Sequence, residues 1–160
     1  MALHKLLVDD FDEDSFALFA IHCAIEDYRL AYLLNQQLHI NLQRKPQNLD
    51  YKYTSASYAI YEWENNAHQV TWNLVSNICK KEEEGLSSSG NLFNNEQKII
   101  RTHNLISEYK TANYLLKIEN DNYHINEKAL LDNIQKIPQI VTAYSIDVNQ
   151  LKSKDNLIFN

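Results

Sequence analysis

Residues 58–78 read YAIYEWENNAHQVTWNLVSNI, and this stretch decides the fold more than any other. Aromatic and β-branched residues recur over 53–64 and over 69–78, on either side of a short polar connection at 65–68. This pattern is typical of a β-hairpin. A turn at 65–68 sets the register of two cross-strand pairs, Tyr61 with Trp72 and Trp63 with Val70. Aromatic cross-strand pairs each stabilise a sheet by roughly 0.2–1 kcal/mol.

Outward from the hairpin, residue patterns predict the remaining strands and helices. A continuous apolar run predicts a buried strand at 16–21, and apolar residues at helical spacing predict a helix at 24–37. The segment 40–44 alternates between apolar and polar residues, as a short strand does. In the C-terminal half we expect a strand at 114–119, a helix that Asn126 caps and Pro138 ends, and a strand at 139–147.

This order of elements predicts a single α+β domain over 1–160. We expect an antiparallel or mixed sheet of about five to six strands with two main helices on one face, ferredoxin-like with an inserted β-hairpin. Two segments have no clear period: 80–95 is predicted to be a surface loop, and 96–106 a short helix. The tail 148–160 is polar until the apolar residues 157–159, which we expect to dock on the core.

Composition narrows the possible functions. The net charge is −6 and the chain has only three arginines, Arg29, Arg44 and Arg101, so we expect no nucleic-acid partner. No segment approaches the roughly 18 consecutive apolar residues of a membrane helix, and we expect a soluble, cytoplasmic protein of bacterial character without a membrane partner. The chain has two glycines, too few for the glycine-rich turn that binds a dinucleotide. We expect no cofactor.

Several clusters of reactive residues fall short of known catalytic or metal-binding patterns. Residues 10–14 have the spacing that starts a calcium loop but lack its glycine and closing glutamate, so no metal is expected. Cys23 follows His22 directly, and neighbours on a strand point to opposite faces. Glu62 and Glu64 share a strand face, and a solvated pair is the commoner interpretation. We therefore favour a protein that is not an enzyme.

The chain resembles the bacterial family named after an Ile-Pro-Glu-x-x-x-Val-Asp-Tyr signature, the IPExxxVDY family. The matching segment is 106–114, which keeps Ile106, Glu108 and Tyr114 and departs from the signature at Ser107, Ala112 and Asn113. The resemblance extends over most of the chain, and its further stretches are 26–32, 62–64 with 72–74, and 138–159. Since no enzymatic activity is assigned to this family, the resemblance implies no catalytic residues.

Two functions remain. The first is a non-enzymatic protein–protein interaction module, binding another protein or a second copy of itself as a homodimer. Its surface would be the aromatic hairpin with Trp63 and Trp72 and the polar tail with Asn149 and Gln150. The alternative is a small-molecule or catalytic pocket between the helix at 24–37 and the terminal strand. The residues of that pocket would be Tyr28, Arg29, Tyr144, Ser145 and Asp147, with Arg29 binding a carboxylate ligand or forming a salt bridge within the chain.

Overall fold

The computed structural model describes residues 16–51, 54–85, 98–120 and 124–159. The predicted calcium-type loop at 10–14 lies outside these residues, as do 86–95 of the predicted surface loop. In chain order the elements are β1 (Phe16–Cys23), α1 (Asp27–Leu38), β2 (Gln43–Arg44), β3 (Leu49–Asp50), β4 (Ser57–Tyr58), β5 (Ile60–Asn65), β6 (Val70–Ser76), β7 (Ile78–Glu84), β8 (Lys98–Asn104), β9 (Tyr114–Asn120), α2 (Glu127–Gln135) and β10 (Ile140–Ile146).

Six of the strands form one antiparallel sheet in the order β10-β1-β9-β6-β5-β2. β1 lies inside it, and the four residues 18–21 are fully buried, as the apolar run predicted. The pairs β3–β4 and β7–β8 form two smaller sheets. With two α-helices in the described residues, the predicted α+β class is confirmed. The ferredoxin-like description stays a prediction.

Both helices pack on one face of the sheet. Leu30 and Leu34 of α1 and Leu130 and Ile134 of α2 belong to one buried cluster with side chains of the inner strands. Asn126 caps α2, since its side chain accepts a hydrogen bond from the backbone N–H of Ala129 at 3.1 Å, as the sequence predicted. Such a cap contributes about 1 kcal/mol.

A second core covers the opposite face of the sheet. It joins residues of β1, β6 and β9 to Leu105 and Ile106 and to three residues of the tail, Val148, Leu151 and Leu157. The tail is therefore packed along this face. Two 3-10 turns carry it, Val148–Gln150 and Lys154–Leu157.

The predicted hairpin forms, but its register differs by two residues. Trp63 lies opposite Trp72, and Tyr61 lies opposite Leu74, rather than Tyr61 opposite Trp72 and Trp63 opposite Val70. The reason is the turn, which covers 66–69 instead of 65–68 and uses Gln69 in the left-handed region at φ 51°. A shift of two keeps every side chain on its predicted face.

The predictions for 80–84 and for 98–106, the described part of the predicted helix at 96–106, are wrong. β7 takes up 80–84, where a loop was expected, and pairs with β8, which replaces the predicted helix. The two-stranded ribbon of β7 and β8 has no local sequence signal, because its strands are charged and the cross-strand partners lie about twenty residues apart in the chain. Once paired, the charges compensate each other: Arg101 Nε lies 2.9 Å from Glu83 Oε2, and Lys98 Nζ lies 3.4 Å from Glu82 Oε2.

Candidate functional site

Helix α1 is fixed at both ends. At its start, the Tyr61 hydroxyl donates to the Asp27 carboxylate at 3.1 Å, and the Tyr114 hydroxyl donates to the Ile25 carbonyl at 2.6 Å. At its end, the Asn35 side chain donates to the Leu42 carbonyl at 3.0 Å and accepts from its N–H at 2.8 Å. These contacts hold the helix against the sheet in one orientation.

Burial determines the chemistry of the tyrosines beneath α1. It raises the pKa of Tyr61 to about 12, and the nearby Asp27 carboxylate adds to that rise. The pKa of Tyr114 is raised as well, chiefly by burial. Both phenols therefore remain neutral hydrogen-bond donors at physiological pH.

The outer face of α1 carries large exposed side chains. Tyr28 is 65% exposed and Tyr32 is 59% exposed, and the two are neighbours at a spacing of four residues. Arg29 and Gln36 are exposed beside them, and the Gln36 amide donates to the Tyr32 hydroxyl at 2.7 Å. We call these four residues the α1 outer face. Tyr32 was not among the predicted site residues, although its spacing of four residues from Tyr28 places both side chains on one face of a helix.

Arg29 is exposed on α1, where the sequence predicted either a carboxylate ligand or a salt bridge within the chain. Within the described ranges, the structure shows no carboxylate in an ion pair with it. A guanidinium is planar and can bind a carboxylate through two parallel hydrogen bonds.

The residues predicted to line a pocket with Tyr28 and Arg29 do not all lie on one face of the sheet. Tyr144 packs on the sheet face opposite α1, where its hydroxyl lies 3.0 Å from His22 Nε2 and its ring lies 6.1 Å from that of Tyr109. Ser145 donates to Glu127 of α2 at 3.0 Å. Tyr144 therefore lies across the sheet from α1, whereas Ser145 lies on the helix side and contacts α2.

The predicted tail residues serve a local turn. The Asp147 carboxylate accepts from the backbone N–H of Asn149 at 3.1 Å and caps the 3-10 turn that follows. Asn149 and Gln150 are exposed on that turn, while Val148 is buried beneath it. The tail packs on the sheet face opposite the helices, so Asn149 and Gln150 are not part of the α1 outer face.

The aromatic hairpin does not present a free aromatic stripe. Trp63 and Trp72 are half-buried and pack against the helix-side core. Their rings are tilted by 42° with centroids 6.3 Å apart, a separation within the range of about 4.5–7 Å over which aromatic pairs interact. These tryptophans therefore stabilise the sheet and the packing of the helices on it.

The candidate catalytic groups are engaged or separated. His22 and Cys23 face opposite sides of the sheet, as predicted, and burial raises the pKa of the Cys23 thiol. The Glu62 carboxylate lies 3.2 Å from Lys45 Nζ and accepts from Asn73 Nδ2 at 3.1 Å, whereas Glu64 is exposed. In the described part of the chain, no group of three or more histidines, cysteines or carboxylates could hold a metal ion.

Asn77, which no sequence pattern singled out, organises the segment that resembles the family signature. Its side chain is fully buried, accepts from the Ile106 N–H at 2.8 Å, and donates to the carbonyls of Tyr109 at 2.8 Å and Ala112 at 2.9 Å. Its own N–H donates to the Asn113 carbonyl at 2.9 Å. The segment 106–113 is therefore a structural loop built around one asparagine.

No family model, no curated protein and no solved structure matches the chain. Membership of the IPExxxVDY family stays a prediction from the residues quoted above. Among the described helices, none has the length and the apolar character needed to cross a membrane.

Proposed function

We propose that this protein is a non-enzymatic protein-interaction module and that it binds its partner through the α1 outer face. One observation carries the proposal: Tyr28 and Tyr32 are more than half exposed on neighbouring turns of a helix, with Arg29 beside them. Tyrosine and arginine are enriched among the residues that dominate binding energy at protein interfaces.

The energetics of this face support the proposal. A tyrosine offers a large contact area with few rotatable bonds, so that ordering it on binding costs little. The hydrogen bond from Gln36 already orients Tyr32, and the contacts at both ends of α1 fix the backbone beneath it. Such a preformed surface loses less conformational entropy on binding than a mobile one.

The chemistry of the α1 outer face also indicates the kind of partner. Arg29 supplies a planar cation whose hydrogen bonds no described carboxylate takes up. A carboxylate on the partner would form a bidentate contact there. Its aromatic or aliphatic neighbours would pack on the two tyrosine rings.

The test is affinity capture from an extract of the native cell, followed by quantitative mass spectrometry. The immobilised proteins are the wild type, the double variant Tyr28→Ala/Tyr32→Ala, and a control, Val141→Ala/Ile158→Ala. The control removes exposed apolar side chains that are not on α1, 81% and 62% exposed. We expect one or more proteins to be captured by the wild type and the control and reduced at least tenfold with the α1 variant.

Two results would contradict the proposal. Either the wild type captures nothing beyond the background of an empty support, or the α1 variant captures the same proteins in the same amounts. Circular dichroism of the three proteins establishes that each is folded, which is expected because exposed substitutions usually change stability by less than about 0.5 kcal/mol.

A further inference from the structure

The β7–β8 ribbon is a sheet of its own. β7 pairs with β8 over seven residue pairs, from Ile78 opposite Asn104 to Glu84 opposite Lys98. No other described strand pairs with the outer edge of β7. Two-stranded ribbons are only marginally stable in water, and an open strand edge is a ready template for another strand.

The charges of β7 are self-complementary. Its sequence ICKKEEE places two lysines before three glutamates, so an antiparallel copy of the strand sets lysines opposite glutamates. Within its own ribbon Lys81 lies directly opposite Arg101, a like-charge pair that destabilises a sheet. Glu83 contacts Arg101 on that face at 2.9 Å, and a second carboxylate would relieve Lys81.

We propose that two copies of this chain pair edge to edge through β7, forming a four-stranded sheet across a two-fold axis. In a symmetric antiparallel pair one residue must face its own copy. With Glu82 at that position, Lys81 faces Glu83 of the second copy, and the same contact occurs twice. Across the four strands, the row of side chains that contains Lys81 is then, in order, Arg101, Lys81, Glu83 of the second copy and Ile99 of the second copy.

The charges select this register over its neighbours. An axis at Lys81 would set two lysines opposite each other, each already facing Arg101. An axis at Glu83 would bring glutamates together and pair no lysine with a glutamate. An axis at Glu82 places the two Glu82 side chains opposite each other. Each of these carboxylates is compensated by Lys98 of its own chain, whose Nζ lies 3.4 Å from Glu82 Oε2.

This pairing goes beyond the proposed function, which requires a protein partner on α1 and no second copy. The test measures the molar mass of the purified protein by analytical ultracentrifugation over a range of concentrations. We expect the wild type to form dimers, and we expect Lys81→Glu and Glu83→Lys each to weaken dimerisation at least about tenfold, since either change sets like charges opposite each other twice.

An equimolar mixture of the two single variants is the decisive sample. Lys81→Glu in one chain faces Glu83→Lys in the other, and the native Lys81 faces the native Glu83, so the mixture should dimerise as the wild type does. A ribbon that had merely unfolded in either variant would not recover on mixing. The control Lys128→Glu makes the same charge change on α2 and should leave the dimer unchanged.

Three results would overturn the pairing: a monomeric wild type, single variants that dimerise as the wild type does, or a mixture that stays monomeric. None of these results tests the proposed binding of a partner through α1. That proposal is tested by the Tyr28→Ala/Tyr32→Ala variant, which leaves β7 unchanged. Loss of partner capture by that variant with a monomeric wild type would refute the β7 pairing alone. A β7-dependent dimer without partner capture would refute the α1 proposal alone.

Discussion

Replacing Asn77 by aspartate should destabilise the protein by about 1–3 kcal/mol. Aspartate is nearly isosteric with asparagine, so the change leaves no cavity and keeps the acceptor for the Ile106 N–H. It removes the two N–H donors that reach the carbonyls of Tyr109 and Ala112 at 2.8 and 2.9 Å. The Tyr109 carbonyl keeps the N–H of Ala112 at 3.1 Å, but the buried Ala112 carbonyl is left without a donor, which costs about 1–3 kcal/mol.

The loss should be visible because small domains have only about 5–15 kcal/mol of stability in total. Urea denaturation followed by the fluorescence of Trp63 and Trp72 gives the midpoint and the slope of the transition. We expect the midpoint to fall and the slope to change little, since the buried surface stays the same.

Asn149→Asp is the matched control, because it makes the same chemical change at an exposed position of the tail. Its effect on the free energy of unfolding should be less than about 0.5 kcal/mol. If Asn77→Asp and Asn149→Asp unfold at the same urea concentration, the loop at 106–113 does not depend on the Asn77 side chain and the reasoning is refuted.

Two further predictions concern buried groups. Lys117 is 6% exposed, donates to the Leu157 carbonyl at 2.9 Å and lies 5.0 Å from the ring of Phe159. Lys117→Met removes both contacts and should therefore lower the hydrogen-exchange protection of residues 157–159. Unchanged protection there would contradict this prediction. Burial raises the pKa values of Tyr58 and Tyr61 from about 10 to about 12. Their neutral form is favoured in the folded state, so this stability is present below pH 10 and is lost as the pH rises through about 12. Urea midpoints across that range should fall, and a smaller fall in Tyr61→Phe identifies the Tyr61 part; a flat profile would contradict the assignment.

Local patterns predicted the parts of the fold that local physics controls. The apolar run at 16–21 required burial on both faces, and Asn126 offered a side-chain acceptor just before an apolar stripe. Both predictions are confirmed. The hairpin was found for the same reason, although its register depends on which four residues form the turn.

The parts that depend on distant partners could not be read from the sequence. β7 and β8 are charged strands whose compensation becomes visible only when Glu83 and Arg101 face each other. Asn77 resembles any other polar residue at the end of a strand until the loop at 106–113 folds around it. For α1, the spacing placed Tyr28 and Tyr32 on one face of the helix but did not show whether that face would be buried or exposed.

Site-specific photo-cross-linking in the native cell tests the central claim most directly. A photoreactive phenylalanine analogue replaces Tyr28 in one strain and Val141 in another, so that the probe stands either on the α1 outer face or on the exposed edge strand β10. Our account predicts a specific covalent adduct to another protein from position 28 that is absent from position 141. No adduct from position 28, or the same adducts from both positions, would contradict the claim that this protein acts through α1.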